Sequence, residues 1–242
     1  MTAQASVSLK VGVVIPALNE ADSIGKVISS LRAQCNYPVV VVDDCSEDAT
    51  ARIALQAGAQ VLPLAARLGA WGATQTGIRY LLQQGFDIVV TLDADGQHEP
   101  DSLPALLGPV IQGQADVAIG TCPERVSRLR LAAWMMMKIT SGLRMEDITS
   151  GLRVYNRRAL LELADPRATM LDYQDVGVLL RLQAAGLTLL DVPVQMQSRC
   201  GGSSRVFHSW LVVCRYMLQT LVLGLSKRRL RSKTEKKHDF MD

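Results

Sequence analysis

The sequence predicts an α/β fold of Rossmann-like type, a mostly parallel sheet with helices on both faces. Two observations predict it. Short apolar runs alternate with segments of helical periodicity, the order expected of βαβ units. Three of those runs also stop abruptly in polar or acidic residues. Residues 11–15 run into Pro16-Ala17-Leu18-Asn19-Glu20, residues 39–42 into Asp43-Asp44, and residues 88–92 into Asp93-Ala94-Asp95-Gly96-Gln97. Parallel strands place such ends on one sheet edge, and ligands of open α/β sheets bind at that edge. The chain has 242 residues with 48% apolar ones, enough for one large domain, or for a domain with an appendage.

The elements follow in order. Residues 11–15 read as a strand. Ile24, Val27, Ile28 and Leu31 recur at helical spacing and form an amphipathic helix. Residues 39–42 are four consecutive valines, a second strand, and Asp48 is placed to cap the Ala-rich helix after it. Residues 61–64 read as a strand, 74–84 as a helix and 88–92 as a strand. Pro100 suits a helix start, with Leu103, Leu106, Leu107 and Val110 as the inner face. Residues 117–119 form the next strand.

From Arg125 the pattern changes. Arg125, Arg128 and Arg130 precede a Met-rich helix over 131–143; residues 172–185 look helical, and 187–192 form a strand ending at Pro193. Residues 199–205 are a basic, Gly/Ser-rich loop. No internal repeat or low-complexity linker precedes the tail.

Charge is uneven. Residues 226–242 carry +4 against +3 for the whole chain, so the body is near neutral at −1. This argues against a nucleic-acid-binding body. The opening residues do not read as a signal peptide. The five cysteines are scattered without metal-ligand spacing, as expected of reduced thiols in a cytosolic protein.

The most chemical motif is Asp93-x-Asp95. Two carboxylates one residue apart at a strand end offer the hard oxygen donors that Mg²⁺ and Mn²⁺ prefer, in sites often shared with substrate phosphates. Read alone, the same residues also make an ordinary strand-to-loop turn. Three convergent polar strand ends favour a nucleoside-diphosphate site. Gly-rich alternatives fail: neither the dinucleotide fingerprint nor a P-loop is present around Gly69, Gly72 and Gly77. His98, a lone loop histidine, reads as a solvated side chain. Trp71 suits either stacking on a sugar or base, or helix packing.

The runs Pro16-Ala17-Leu18-Asn19-Glu20, Val42-Asp43-Asp44-x-Ser46-x-Asp48-x-Thr50 and Asp93-Ala94-Asp95-Gly96-Gln97-His98-x-Pro100 resemble the family 2 inverting glycosyltransferases of GT-A fold. The second half is similar to the dolichyl- and polyprenyl-phosphate sugar synthase branch. It carries Asp147-x-x-Ser150-Gly151-x-Arg153-x-Tyr155, Val192-Pro193-Val194 and Arg199-x-Gly201-x-Ser203-x-Arg205. Position by position, the resemblance implies that Pro16, Leu18, Glu20, Val42 and Asp44 line the nucleoside of a nucleoside diphosphate sugar. It implies that Asp93, Asp95 and Gln97 hold Mg²⁺ or Mn²⁺, with Ala94 against the ribose or diphosphate, and that Arg199 and Arg205 clamp phosphates. Asp147 and Asp95 would be catalytic.

Three positions depart from the family pattern. Leu18 stands where an aromatic is usual, and Arg67 stands where Asn is common. Gly120-Thr121-Cys122 lacks the usual arginine, which Arg125 or Arg128 would replace. These bear on which sugar nucleotide is used, not on the fold.

The implied organisation is a GT-A domain over 8–206, a membrane-interface helix over 207–226 and a basic, disordered tail over 227–242. The apolar stretch 210–225 is shorter than the ~20 residues a spanning helix needs and is interrupted by Arg215 and Gln219. An interfacial helix with its basic residues on anionic headgroups fits better. A final core helix followed by a basic tail is the competing reading.

The expected function is a metal-dependent transfer of sugar to a polyprenyl phosphate at the cytoplasmic face of the membrane, with peripheral membrane contact and no nucleic acid. A family 2 enzyme acting on a sugar hydroxyl of a lipid-linked or cell-envelope glycan is the nearest alternative. It would need a general base, for which Asp147 is the candidate. A sugar-phosphate nucleotidyltransferase is the alternative of another class. It would call for a Gly-rich, basic phosphate loop near the first strand, where Asn19-Glu20-Ala21-Asp22 is acidic. A non-catalytic sugar-nucleotide sensor is the last, weighed against by the intact Asp93, Asp95 and Gln97.

Overall fold

The apolar runs pair as their alternation predicts. The computed structural model describes residues 9–122, 150–169 and 176–196. In it β1 (Val11–Ala17) lies between β2 (Val39–Asp43) and β4 (Ile88–Thr91), parallel to both, and β3 (Gln60–Pro63) extends the sheet beyond β2. Beyond β4 come β6 (Arg153–Asn156), β5 (Val117–Thr121) and β7 (Leu189–Pro193). The seven strands run in the order β3-β2-β1-β4-β6-β5-β7.

Alternate residues of each strand feed two cores. Val13, Ile15, Val41 and Val90 pack under α1 (Ile24–Gln34), α2 (Thr50–Gln56) and α4 (Leu103–Ile111). Val14, Val42, Val89 and Tyr155 pack under α3 (Gly69–Gln83), α5 (Arg157–Ala164) and α6 (Val176–Ala184). Central strands buried on both faces are apolar at successive positions instead of alternating. That is why four consecutive valines suit β2.

Two elements escaped the sequence reading. β6 is antiparallel to both β4 and β5, and Asn156 at its end caps α5 by accepting the Ala159 N–H at 3.0 Å. β6 is only four residues long and contains Arg153, which is 0% exposed. A central strand with an arginine inside it gives no apolar-run signal. Boundaries also shift. α3 starts at Gly69, not residue 74, and β7 starts at Leu189. Asp48 stands one residue before the N-cap position of α2 and accepts from the Thr50 N–H at 2.9 Å.

At the edge where β5 and β7 begin and β6 ends, Asp116 is buried and gathers three donors. The Thr188 N–H gives to Oδ2 at 2.9 Å, Asn156 Nδ2 to Oδ1 at 2.8 Å, and Arg158 Nη1 to Oδ1 at 3.1 Å. Burial alone would raise its pKa. The Thr188 amide, Asn156 and Arg158 together outweigh that and hold the carboxyl below its ordinary 3.8. A depressed folded pKa stabilises fully above the unfolded value, and the stabilisation is lost as pH falls through the folded one. Asp116→Asn turns an NH₂ toward a donor and should cost about 1–3 kcal/mol at neutral pH. Urea titrations from neutral pH downward check this. The gap between wild type and variant should close below pH 3.8.

The expected helix over 131–143, the interface helix over 207–226 and the tail over 227–242 lie outside the described residues. Among the described residues no helix is long and apolar enough to cross a membrane.

Candidate active site

Parallel pairing sends the carboxyl ends of β1, β2 and β4 to one edge, bringing together the three polar strand ends. β2 and β3 lie to one side of β1 and β4 to the other, so the strand order reverses between β1 and β4. Such a switch point opens a crevice between neighbouring strand ends. Leu18-Asn19-Glu20 borders it from β1 and the Asp93–Gln97 loop from β4. β6 runs the other way, so Ser150-Gly151 enters the sheet at the same edge, and β5 and β7 leave the sheet there.

The loop after β1 is held by the loop after β2. The Asn19 N–H donates to Ser46 Oγ at 2.9 Å, the Glu20 N–H to Thr50 Oγ1 at 2.7 Å, and the Ala21 N–H to Asp48 Oδ2 at 3.2 Å. In return Asn19 Oδ1 accepts the Glu47 N–H at 2.7 Å. Asn19 sits at φ 52 and Cys45 at φ 61, left-handed conformations that non-glycine residues rarely adopt. The cross-loop bonds hold the chain there. Ser46, Asp48 and Thr50 thus shape the crevice wall through the backbone of the first loop, a role spacing alone did not reveal.

Asp44 is 3% exposed and anchors α3. Its Oδ1 accepts the Leu68 N–H at 2.6 Å and its Oδ2 the Gly69 N–H at 2.9 Å. These are helix N-terminal donors that otherwise lack partners, and the carboxylate complements the helix dipole. Each oxygen keeps a second acceptor site. Asp43 is also buried, and its Oδ1 has no hydrogen-bond partner among the described residues. Pro16 pairs with Val42 in register, and the Val42 side chain is fully buried in the core under α3. Val42 is buried as a whole residue and paired with Pro16 on one side and Leu62 on the other, so it backs the crevice from inside the sheet, and Ala94 is buried as well. Glu20 is half-buried and accepts from Ser23 Oγ at 3.1 Å.

The loop after β4 turns tightly. Asp95 Oδ1 accepts the Gln97 N–H at 3.1 Å, and Gly96 takes φ 75. Asp93, Asp95 and Gln97 are all partly exposed at the edge. Among the described residues no three His, Cys, Asp or Glu side chains form a ready cage. Two carboxylates and an amide oxygen on one turn still fit Mg²⁺ or Mn²⁺, which take their remaining ligands from phosphate and water. His98 departs from expectation. Its side chain is 3% exposed, and Nε2 lies 3.3 Å from Asp93 Oδ2. It also bridges to Met196 in antiparallel pairing. A lone loop histidine carries no burial signal; the fold buries it by pairing its loop with the chain at Met196.

Trp71 is a packing residue. It is 2% exposed, and Nε1–H donates to the Ala168 carbonyl at 2.7 Å. Asp147, Arg199 and Arg205, with Arg125 and Arg128, lie outside the described residues. Cys122 and Ser150, which flank residues 123–149, and Met196, which precedes Arg199, stand at the edge just described.

Comparison with known proteins gives consistent results. A profile described as glycosyl transferase family 2 matches residues 12–163. The chain is 31% identical over 218 residues to the undecaprenyl-phosphate mannosyltransferase of Micrococcus luteus, covering 82% of this chain and 88% of that one. It is 28% identical over 213 residues to the polyprenol monophosphomannose synthase of Mycolicibacterium smegmatis, covering 80% of each. Among solved structures it resembles glucosyl-3-phosphoglycerate synthase from Mycobacterium tuberculosis in complex with Mn²⁺, UDP-glucose and phosphoglyceric acid. The TM-score is 0.67 at 21% identity, over 91% of this chain and 80% of that one. At that identity the likeness shows the fold.

Proposed function

The chain belongs to glycosyl transferase family 2 and has the GT-A fold, and on that premise we propose that it transfers a sugar from a nucleoside diphosphate sugar to a polyprenyl phosphate, using Mg²⁺ or Mn²⁺. The nucleotidyltransferase reading falls with the family match. The observation that carries the proposal is the convergence of Glu20, Asp44, Asp93 and Asp95 at one switch point. Relatives named for undecaprenyl phosphate and polyprenol support the acceptor class. A solved structure with UDP and Mg²⁺ supports the donor class and the ion.

In this reading Asp44, Glu20 and the backbone near Pro16, Leu18 and Val42 receive the nucleoside, with the carboxylates accepting from base N–H or ribose hydroxyls. Asp93, Asp95 and Gln97 hold the ion, and Arg199 and Arg205 clamp phosphates with their forked donors. An acceptor phosphate oxygen attacks the anomeric carbon opposite the diphosphate. The new C–O bond forms as the bond to the diphosphate oxygen breaks, inverting the centre. The developing charge lies on the leaving diphosphate, and a bound divalent ion supplies the neutralisation. The acceptor arrives ionised, so no proton has to move.

The test is a transfer assay with UDP, GDP and dTDP sugars, Mn²⁺ and undecaprenyl phosphate in anionic vesicles. Transfer from one nucleotide class, lost in excess EDTA, is expected. Full activity in EDTA would falsify the metal assignment. A thermal-shift panel ranks the nucleotides, since a ligand at 100 times its dissociation constant stabilises by about 2.7 kcal/mol. We place the enzyme peripherally on the cytoplasmic face, with residues 207–242 as the contact. Removing them should abolish salt-sensitive sedimentation with those vesicles.

Asp147 separates the two acceptor classes. With a phosphate acceptor it positions the metal, a basic side chain or the acceptor. Asp147→Asn should then slow transfer, spare donor affinity and gain nothing from raised pH. With a hydroxyl acceptor the loss of a base costs about 10²–10⁴ in rate, and the residual rate climbs with pH. A pH profile of the variant decides. A climbing profile would overturn the phosphate acceptor.

A further inference from the structure

Asp93 is held by two groups, one from its own loop and one from the turn before β6. On one side lies Gly151. A Cβ built there would sit 2.2 Å from Asp93 Oδ1 and 2.3 Å from Oδ2, so the carboxylate occupies the space a side chain would take. Gly151 is itself fixed, because Thr91 Oγ1 donates to its carbonyl at 2.9 Å in a buried bond. On the other side lies His98, with Nε2 at 3.3 Å from Oδ2. An ionised carboxylate only accepts, so Nε2 carries the proton in this contact. The His98 side chain is 3% exposed against 41% for Asp93, so the imidazole forms a buried wall behind a carboxylate that faces the crevice. The antiparallel bridge to Met196 pins the same loop to the chain leaving β7.

We propose that Gly151 and His98 are positioning residues that fix the Asp93 carboxylate for its ligand, Gly151 by having no side chain and His98 by donating from Nε2. The proposal rests on the reading of Asp93 as a ligand of the ion that accompanies the diphosphate. Gly151 does not take a positive φ, so alanine is allowed by its backbone. What an added methyl meets is the end of a side chain that can swing away. Gly151→Ala should therefore fold normally while displacing the carboxylate. This gives the serine-glycine pair before β6 a reason at the site. A methyl group is excluded by the neighbouring carboxylate, not by turn geometry.

The test needs a readout that does not depend on the ion. The chain has only three histidines, His98, His208 and His238, so the imidazole NMR signals of His98 in the full-length, metal-free protein can be assigned with His98→Gln. Asp93→Asn and Gly151→Ala should both shift those signals, and Asp95→Asn should leave them in place. Binding of Mn²⁺ in the presence of UDP, followed by the electron paramagnetic resonance of free Mn²⁺, supplies the second readout. Gly151→Ala and His98→Ala should each weaken it by about 10-fold or more, the range for groups that orient ligands. His98→Gln, which keeps a donor, should recover part of the loss. In an Asp93→Asn background Gly151→Ala should add little, because its effect passes through that carboxylate. His98 signals unmoved by both Asp93→Asn and Gly151→Ala would overturn the proposal, as would additive losses in the double variant. Shifted signals in a protein whose wild type binds no Mn²⁺ would retain the positioning and remove only the metal reading.

Discussion

Asp95→Asn is expected to leave a folded protein that transfers sugar about 10³-fold more slowly. Asp95 stands on a half-exposed turn, where its Oδ1 closes the loop by accepting the Gln97 N–H. Asparagine keeps an oxygen that can accept this bond, so the turn survives. On the proposed reading, what is lost is a negative charge that would hold the divalent ion beside the diphosphate. A metal ion contributes several kcal/mol of transition-state charge stabilisation, and each 1.4 kcal/mol is worth about tenfold in rate. Losing most of that contribution gives about 10³. The loss should appear in kcat and in the affinity for UDP with Mn²⁺, while the thermal midpoint without ligand moves little. Steady-state kinetics with a melting curve of the free protein check both parts. A variant with wild-type turnover would remove Asp95 from the ion site. A variant that is merely unfolded would move the melting curve first.

Trp71→Ala is expected to cost the fold about 3–5 kcal/mol, the range for emptying a buried aromatic site. Trp71 lies on α3 within the core shared with α5 and α6, and its indole N–H holds the Ala168 carbonyl. Alanine would leave both a cavity and an unpaired carbonyl. Domains are stable by only about 5–15 kcal/mol, so a fifth or more of the total is at stake. For a chain of this size the melting midpoint should fall by about 10 °C. Urea unfolding measures the free energy directly. Trp71→Phe separates packing from sugar stacking. It should lose about 1–3 kcal/mol, the cost of leaving the buried carbonyl unpaired, and keep donor affinity. Retained stability with lost donor binding would restore the stacking role.

Much of the fold was legible because its signals are local. Val39–Val42 and Ile88–Thr91 announce buried strands by composition, and Ile24, Val27, Ile28 and Leu31 announce a helix face by spacing. Convergence of the three strand ends needed only the expectation of parallel pairing. The missed elements lack local signals. β6 is an antiparallel insertion whose buried arginine breaks the apolar pattern, and its partners on β4 lie about sixty residues earlier in the sequence. α3 begins five residues before its apolar periodicity does. Its first amides are satisfied by Asp44, twenty-four and twenty-five residues upstream, with no cap of its own.

The candidate site divides the same way. Asp93, Asp95, Gln97, Glu20 and Asp44 were picked out as residues by their positions after apolar runs. Their surroundings were not. His98 read as solvated and is buried behind Asp93. Val42 read as a ligand contact and keeps its side chain in the core. Ser46, Asp48 and Thr50 act through the backbone of another loop.

By itself the sequence determined the α/β class, the edge where chemistry gathers and the oxygen-rich donor set. Composition and short-range periodicity encode which residues are buried and which end a strand. Only the tertiary structure decided what each polar group does. A carboxylate becomes a helix anchor or a loop tie according to donors brought in from distant segments. Those contacts depend on strand order and register. No window of neighbouring residues contains the long-range ones, which here assign Asp44 to α3 and set Asp93 against Gly151.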